Sequence, residues 1–143
     1  MSNPYRQVVD YMMIHDKFSQ WLGIEVLDIQ EGYSKIKMTV REEMINGFGI
    51  AHGGIAFSLA DSAFAFACNS DGKITVALDT SISFPKATKV NDTLIAEAKR
   101  ISITRSTGLY LVEVRNDQNE LIALFKGTCY KTKKDLINSS SNT

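Results

Sequence analysis

The hydrophobic positions of this chain follow two periods, one typical of helices and one typical of strands. Val8 and Met12 lie four positions apart after Pro4, a residue favoured in the first turn of a helix, so residues 4–16 are predicted to be helical. Residues 54–70 contain mostly Ala, Leu and Phe without proline, and apolar residues occupy most of the helix circumference. We therefore predict a second, long helix there that the rest of the protein encloses.

Six further segments predict β-strands, because apolar and β-branched residues alternate or cluster in them between turn residues. These segments are residues 24–29, 36–40, 74–84, 93–102, 108–114 and 121–130. The order along the chain is helix, two strands, helix, four strands. One enclosed helix with about six antiparallel strands predicts an α+β fold in which the sheet curls around that helix.

Length and charge limit the class of protein. The 143 residues suit one domain with a substantial core, which we assign to residues 1–132, and residues 133–143 are a polar segment predicted to be a disordered tail. Sixteen basic side chains balance sixteen acidic ones, which argues against a nucleic-acid or membrane-surface partner. No stretch suits a signal peptide or a membrane span, and both Cys68 and Cys129 lie in apolar runs. We expect a cytoplasmic protein with buried, reduced thiols.

The segment 46–70, NGFGIAHGGIAFSLADSAFAFACNS, carries the most informative chemistry. A glycine-rich loop leads into His52-Gly53-Gly54 and then into the apolar helix, whose middle contains a single acid, Asp61. A carboxylate is costly to bury unless it is partnered or neutralised. The chain accepts this cost at one position only, which suggests a reason beyond packing, and the alternative for Asp61 is a structural acid that caps or pairs locally. Two histidines without ligand-spaced cysteines predict that the protein has no metal site.

This segment resembles the hotdog-fold thioesterases, and most of all the PaaI-like branch associated with phenylacetate degradation. The resemblance covers residues 15–132, rests on the spacing from HGG to Asp61, and continues into residues 77–84, ALDTSISF. It implies hydrolysis of an acyl-CoA thioester, with coenzyme A as part of the substrate and no separate cofactor. It also implies homodimers that join their sheets edge to edge and pair into homotetramers.

By this resemblance Asn46, Gly53 and Asp61 match the family's catalytic residues, and His52 matches the histidine of its HGG motif. The chemistry of the residues agrees, because N–H groups at a helix start lack intrahelical partners and can hold an oxyanion near Gly53. Asp61 could activate water as a general base or attack the thioester directly. Asn46 could orient the water or the thioester, and its alternative role is to cap the loop turn at Gly47.

The other predicted binding residues rest on weaker patterns. A hydroxyl that some relatives carry on the third strand falls on Ala77 here, which leaves Thr80 and Ser81. The turn 104–108 matches the family's contact with the nucleotide part of CoA, and an ordinary hairpin turn explains it equally well. The phenylalanines that would suit a phenylacetyl or hydroxyphenylacetyl group, and equally core packing, are Phe48, Phe57, Phe64 and Phe84. The predicted substrate-binding set is His52, Gly54, Thr80, Ser81, Phe84, Thr104, Arg105, Ser106, Thr107 and Gly108.

Gly53 and Asp61 are eight residues apart, which is about 12 Å along a helix and too far for both to act on one carbonyl group. We therefore expect two antiparallel copies of the helix, so that Gly53 of one subunit faces Asp61 of the other. Two alternatives stay open. A hotdog hydratase or dehydratase would pair a histidine with an acid at a spacing that this chain lacks, and the retained Asp61 argues against a non-catalytic acyl-CoA-binding protein.

Overall fold

The computed structural model describes residues 2–137. Its helices are α1 (Pro4–His15), α2 (Lys17–Leu22) and α3 (Gly53–Asn69), and its strands are β1 (Glu25–Gln30), β2 (Tyr33–Thr39), β3 (Lys73–Ser83), β4 (Thr93–Ile103), β5 (Thr107–Asn116) and β6 (Leu121–Asp135). The six strands form one antiparallel sheet in the order β1-β2-β4-β5-β6-β3. The predicted α+β fold with one long enclosed helix and six strands is confirmed.

The structure adds two short elements that the sequence analysis does not predict. Asp16 ends α1 and its side chain caps the start of α2, and Gly23 ends α2 with the left-handed φ of 77° that favours glycine. A six-residue helix is too short to give a clear 3.6-residue period, which explains why α2 was missed. The second addition is a single 3₁₀ turn, Glu42–Met44, inside the predicted loop.

The boundary of the predicted C-terminal tail is wrong by three residues. Strand β6 continues to Asp135, which pairs with Lys73 of β3, so residues 133–135 belong to the sheet. Polar side chains on a strand edge resemble those of a tail in sequence, and only the pairing with β3 identifies them as a strand. Residues 138–143 of the predicted tail lie outside the described residues.

Helix α3 lies against the inner face of the sheet and supplies much of the core. Its Phe64 and Phe66 are almost completely buried, and Phe64 reaches Gly127 of β6. A Cβ atom on Gly127 would lie 2.7 Å from the Phe64 ring, so glycine at this position lets the helix approach the strand. The Ser34 hydroxyl on β2 donates to the Ala63 carbonyl at 2.6 Å and fixes the other side of the helix. These contacts fix the distance of α3 from the sheet and its rotation about its own axis, and therefore the position of its polar residues.

Strand β3 is one of the two edge strands of the sheet. It pairs with β6 on one side, and within residues 2–137 no strand pairs with its other side. The strand is 11 residues long, and its Val76 and Leu78 are 47% and 59% exposed. Long apolar edge strands are templates for pairing with another chain, which proteins normally protect. Separately, no helix in the described part of the chain is long and apolar enough to cross a membrane.

Candidate active site

Residues 2–137 satisfy the backbone N–H groups at the start of α3 only in part. His52 occupies the N-cap position, and its Nδ1 atom accepts a hydrogen bond from the Gly54 N–H at 3.0 Å. An accepting Nδ1 places the ring proton of a neutral imidazole on Nε2. The preceding donor, the Gly53 N–H, forms no hydrogen bond with any residue in the range 2–137. The positive end of the helix dipole therefore carries a free N–H at Gly53, while that of Gly54 is occupied.

Gly53 lines a cleft of about 230 Å³. The cleft is lined by Asn46, Ile50, Ala51, His52, Gly53, Ala56, Phe84, Lys86, Ala87, Thr88 and Ile122. Four of these were predicted as site residues from the sequence, namely Asn46, His52, Gly53 and Phe84. They come from the loop before α3, from the start of α3 and from the end of β3, so the fold brings together positions that are far apart in sequence.

Asn46 has a structural contact and a free donor. Its Oδ1 accepts the Phe48 N–H at 2.8 Å, and its backbone N–H donates to the Ile50 carbonyl at 2.8 Å, which closes the loop before α3. Its Nδ2 makes no hydrogen bond to the described residues. The loop-capping alternative thus accounts for Oδ1, and the amide N–H groups are available to a ligand in the cleft.

Phe84 forms the wall of the cleft beside Gly53. Its side chain is half exposed, and its ring lies 3.5 Å from the place that a Cβ atom on Gly53 would occupy. A methyl group at position 53 would therefore make ordinary van der Waals contact with this ring. Lys86 lines the same cleft and pairs with Glu120 at 2.7 Å.

Asp61 lies in the middle of α3, away from the cleft. Its side chain is half-buried, and no hydrogen bond or ion pair from the described residues stabilises the charged form. Burial raises the pKa of the Asp61 carboxyl, and the nearby negative charge of Asp16 raises that pKa further. A carboxylate with a raised pKa is a stronger base, as general acid–base catalysis at neutral pH requires. Within one chain, however, Asp61 and Gly53 stand about 12 Å apart along the helix.

Thr80 and Ser81 lie on β3, opposite Gly127 and Lys126 of β6. Neither side chain lines the cleft of this chain. Ser81 is exposed at the unpaired edge of the sheet, and Thr80 is partly buried. Both would be near a second chain that paired with this edge.

The turn between β4 and β5 forms a separate groove. The Thr104 Oγ1 accepts the Thr107 N–H at 3.0 Å and lies 2.6 Å from the Thr107 hydroxyl, so these two side chains hold the hairpin itself. A groove of about 280 Å³ beside the turn is lined by Lys73, Arg105, Ser106, Tyr130, Lys131, Thr132 and Lys133. It shares no residue with the cleft at Gly53. The predicted CoA-contact turn and the predicted catalytic residues are therefore in different places on the protomer.

Gly108 faces the interior rather than this groove. A Cβ atom there would lie 3.0 Å from the Tyr110 ring and 3.1 Å from the Cys129 sulfur, so the position needs glycine for packing. Cys68 and Cys129 are free and buried, as predicted. No three His, Cys, Asp or Glu side chains within residues 2–137 cluster in a way that could hold a metal ion.

The cleft wall also contains residues that were not predicted from the sequence, namely Thr88 and the apolar residues Ile50, Ala51, Ala56, Ala87 and Ile122. Ala56 lies three residues after Gly53 and could have been found from helix periodicity. The others come from two loops and β6, and the Ala51 N–H donates to the Thr88 carbonyl across those loops at 2.7 Å. No local pattern in the sequence signals that contact.

Comparison with known proteins identifies the family. Residues 48–123 match the Thioesterase superfamily. The chain is 39% identical to the acyl-coenzyme A thioesterase PaaI of Escherichia coli over 131 residues, which cover 92% of this chain and 94% of that protein. The E. coli PaaI structure superimposes with a TM-score of 0.90 at 37% identity, covering 92% of this chain and 96% of that one. A Streptococcus mutans protein bound to acetyl CoA gives a TM-score of 0.75 at 28% identity, covering 78% and 90%. The chain therefore belongs to the thioesterase superfamily and has the hotdog fold of its PaaI-like members.

Proposed function

We propose that this protein is an acyl-CoA thioesterase whose active site is shared by two subunits. The observation that carries this proposal is the free Gly53 N–H at the start of α3, on the same helix as the unpartnered Asp61 carboxyl. The first group suits a developing oxyanion, and the second suits a base or nucleophile. Two relatives support the substrate class, since one is named an acyl-coenzyme A thioesterase and another is bound to acetyl CoA.

In the proposed reaction the thioester carbonyl oxygen accepts the hydrogen bond of the Gly53 N–H. Negative charge that develops on this oxygen is stabilised by that donor and by the helix dipole. The Asp61 carboxylate of the other subunit either removes a proton from the attacking water or attacks the carbonyl carbon itself. In either route the C–S bond breaks, and CoA leaves as a thiolate that takes up a proton. In the first route the water oxygen forms the new C–O bond directly, and in the second route water hydrolyses the mixed anhydride of the acyl group and Asp61 to the free acid. The Asn46 amide orients the water or the thioester.

The exposed edge of β3 supports the shared site. Pairing of two β3 strands around a two-fold axis would continue the sheet across two subunits and cover the exposed Val76 and Leu78. It would also bring Thr80 and Ser81 to the interface as candidate hydroxyl groups. The cleft of about 230 Å³ at Gly53 is smaller than typical ligand sites of roughly 300–1,000 Å³, as expected if a second subunit completes it. We propose a homodimer that pairs into a homotetramer in the cytoplasm.

The acyl group is proposed to be aromatic, such as phenylacetyl or hydroxyphenylacetyl. Phe84 supports this because its half-exposed ring lines the cleft beside Gly53. Phe57 and Phe64 do not contribute, because both rings pack on Phe125 at 5.6 Å between ring centres. For the other end of the substrate, Arg105 is the proposed contact for CoA phosphate groups, since its guanidinium is exposed in a groove that also contains lysines.

A thiol-release assay over a panel of CoA esters tests the reaction class. We expect thiol release from at least one ester, with phenylacetyl-CoA and hydroxyphenylacetyl-CoA among the best substrates, and loss of release in Asp61→Asn. An enoyl-CoA in the same panel tests the hydratase alternative. Hydration of its double bond without thiol release would refute the proposed reaction, as would the absence of thiol from every ester.

Mixing two inactive variants tests the shared site. Gly53→Pro and Asp61→Asn subunits that exchange freely form heterodimers as half of the population, and each heterodimer has one intact site of two. Roughly a quarter of the two-site activity should therefore return. A site contained within one chain predicts no recovery, because every chain in the mixture carries one defect.

A further inference from the structure

Asp16 connects the N-terminal helices to α3. It is both the C-cap residue of α1 and the N-cap residue of α2. Its Oδ1 accepts the Ser19 N–H at 3.0 Å, and its Oδ2 accepts the Ser19 hydroxyl at 2.6 Å. The Ser19 Oγ in turn lies 2.8 Å from the Oγ of Ser62, which is the neighbour of Asp61 on α3. Both serines are buried, with 1% and 8% of their surface exposed.

The Asp16 carboxylate fixes which hydroxyl group donates in each of these hydrogen bonds. An ionised carboxylate only accepts, so the Ser19 hydroxyl must donate to Asp16. Its remaining lone pairs then accept from the Ser62 hydroxyl, so Ser62 donates to Ser19. The three side chains thereby form a directed network between the α1–α2 junction and the turn of α3 that carries Asp61. Buried networks of this kind fix the relative position of the elements that they join.

The same residue acts on Asp61 electrostatically. Of the charged groups in residues 2–137, Asp16 is the one whose charge shifts the ionisation of Asp61, and burial of Asp61 acts in the same direction. The Cys68 thiol, two turns further along α3, is the other titratable group that interacts with the Asp61 carboxylate. No basic side chain from the strands around α3 offsets these effects within the described chain.

We propose that Asp16 is a positioning residue for Asp61. Through Ser19 and Ser62 it holds the α1–α2 junction against α3, and it presents a second negative charge to the Asp61 carboxylate. The inference rests on the proposed function, because it takes Asp61 as the base or nucleophile. The N-terminal helices contribute no lining residue to the cleft at Gly53. Through Asp16 they nevertheless influence the position and the ionisation of Asp61 on α3.

Asp16→Asn tests the electrostatic part. Asn caps a helix about as well as Asp, so α2 should keep its start while the charge is lost. We expect the acid limb of the pH–kcat profile for thiol release to move to lower pH, because removing a like charge favours ionised Asp61. The titration of the Asp61 carboxyl, followed by NMR with carbon-13-labelled aspartate and assigned with Asp61→Asn, should move in the same direction. Asp16→Ser, a second uncharged cap, should reproduce both shifts if the Asn variant folds poorly.

Two control variants separate this role from general effects. Asp10→Asn removes a charge from α1 at an exposed residue that pairs with Arg6 at 3.0 Å, and it should leave the acid limb in place. Ser19→Ala breaks the hydrogen-bond network and keeps the Asp16 charge, so it should lower kcat without moving the acid limb to lower pH. Equal shifts in the Asp16 and Asp10 variants, or profiles of both uncharged Asp16 variants that coincide with the wild type, would overturn the inference.

The NMR titration distinguishes failure of this inference from failure of the proposed function. If Asp61→Asn retains full activity, the proposed function fails, whatever the titration of Asp61 in the Asp16 variants. If Asp61→Asn is inactive and the Asp61 titration does not move when Asp16 is neutralised, the proposed function stands and the role of Asp16 is refuted.

Discussion

The two functional regions of α3 are built in opposite ways. At its start, the groups around Gly53 are organised by their immediate neighbours, since His52 caps Gly54 and leaves the Gly53 N–H free. In its middle, Asp61 receives no stabilising contact from the described chain, and both burial and Asp16 oppose its ionisation. The proposed oxyanion donor is thus ready at no conformational cost, whereas the proposed base is held in an unfavourable state.

This difference predicts which substitutions change stability and activity in opposite directions. Groups held in unfavourable states cluster at functional sites because the rest of the fold supports them. Removing Asp61 should therefore lower activity and raise stability, while changes at the helix start should lower activity or stability through lost hydrogen bonds.

The largest effect is expected for Asp61→Asn. Loss of a general base lowers kcat by about 10²–10⁴-fold, and loss of a nucleophile would lie at the upper end of that range or beyond it. Steady-state thiol release measures it, with Asp10→Asn as a charge-matched control that should keep wild-type kcat. An Asp61→Asn enzyme within about threefold of wild type would contradict the assignment of Asp61.

The second effect is expected for Gly53→Pro. Position 53 is the first residue of α3, where proline is favoured, and the extended backbone of His52, with φ −61° and ψ 137°, is compatible with a following proline. The helix should remain while the N–H is lost, so kcat should fall by about 10²–10³-fold. Gly53→Ala is the matched control, because it retains the N–H and its methyl group makes ordinary contact with Phe84. Equal losses in both variants would point to steric hindrance instead of a lost donor.

The third prediction concerns stability and pH. Because the folded-state pKa of Asp61 is raised above its ordinary value of 3.8, the folded protein binds that proton more tightly than the unfolded chain. Ionisation of Asp61 therefore lowers stability as pH rises from 3.8 through the folded-state pKa. Asp61→Asn should unfold at higher urea concentration than wild type at pH 7, and the difference should shrink as pH falls toward 4. A difference that is independent of pH would assign the gain to packing rather than to charge.

The smallest effect is expected at the helix cap. His52→Ala removes the acceptor of the Gly54 N–H and should lower the free energy of unfolding by about 1 kcal/mol. His52→Asn supplies another capping side chain and should recover most of this loss. Urea denaturation at a fixed protein concentration measures both variants. Equal stability of the alanine variant and the wild type would show that the start of α3 does not depend on its cap.

Local patterns were enough to predict the larger elements. Alternating or clustered apolar residues predicted six strands, and apolar residues around the circumference of residues 54–70 predicted an enclosed helix, which the structure places at Gly53–Asn69. The structure adds what those patterns do not carry, such as the six-residue α2 and the last three residues of β6. For two of the phenylalanines predicted to suit either the acyl group or the core, Phe57 and Phe64, the structure shows core packing against Phe125.

The start of α3, the order of Gly53 and Asp61 along one helix, and the distance of about 12 Å between them follow from the order of residues along the chain. Those properties depend on hydrogen bonds and helical rise among residues within a few turns. Tertiary packing, in contrast, places Phe84 beside Gly53 and brings the charge of Asp16 near Asp61. Ser19 and Ser62, whose hydroxyl groups link the α1–α2 junction to α3, are 43 positions apart in the sequence. Burial and charge proximity depend on which distant segments pack together, and no local pattern of residues encodes that.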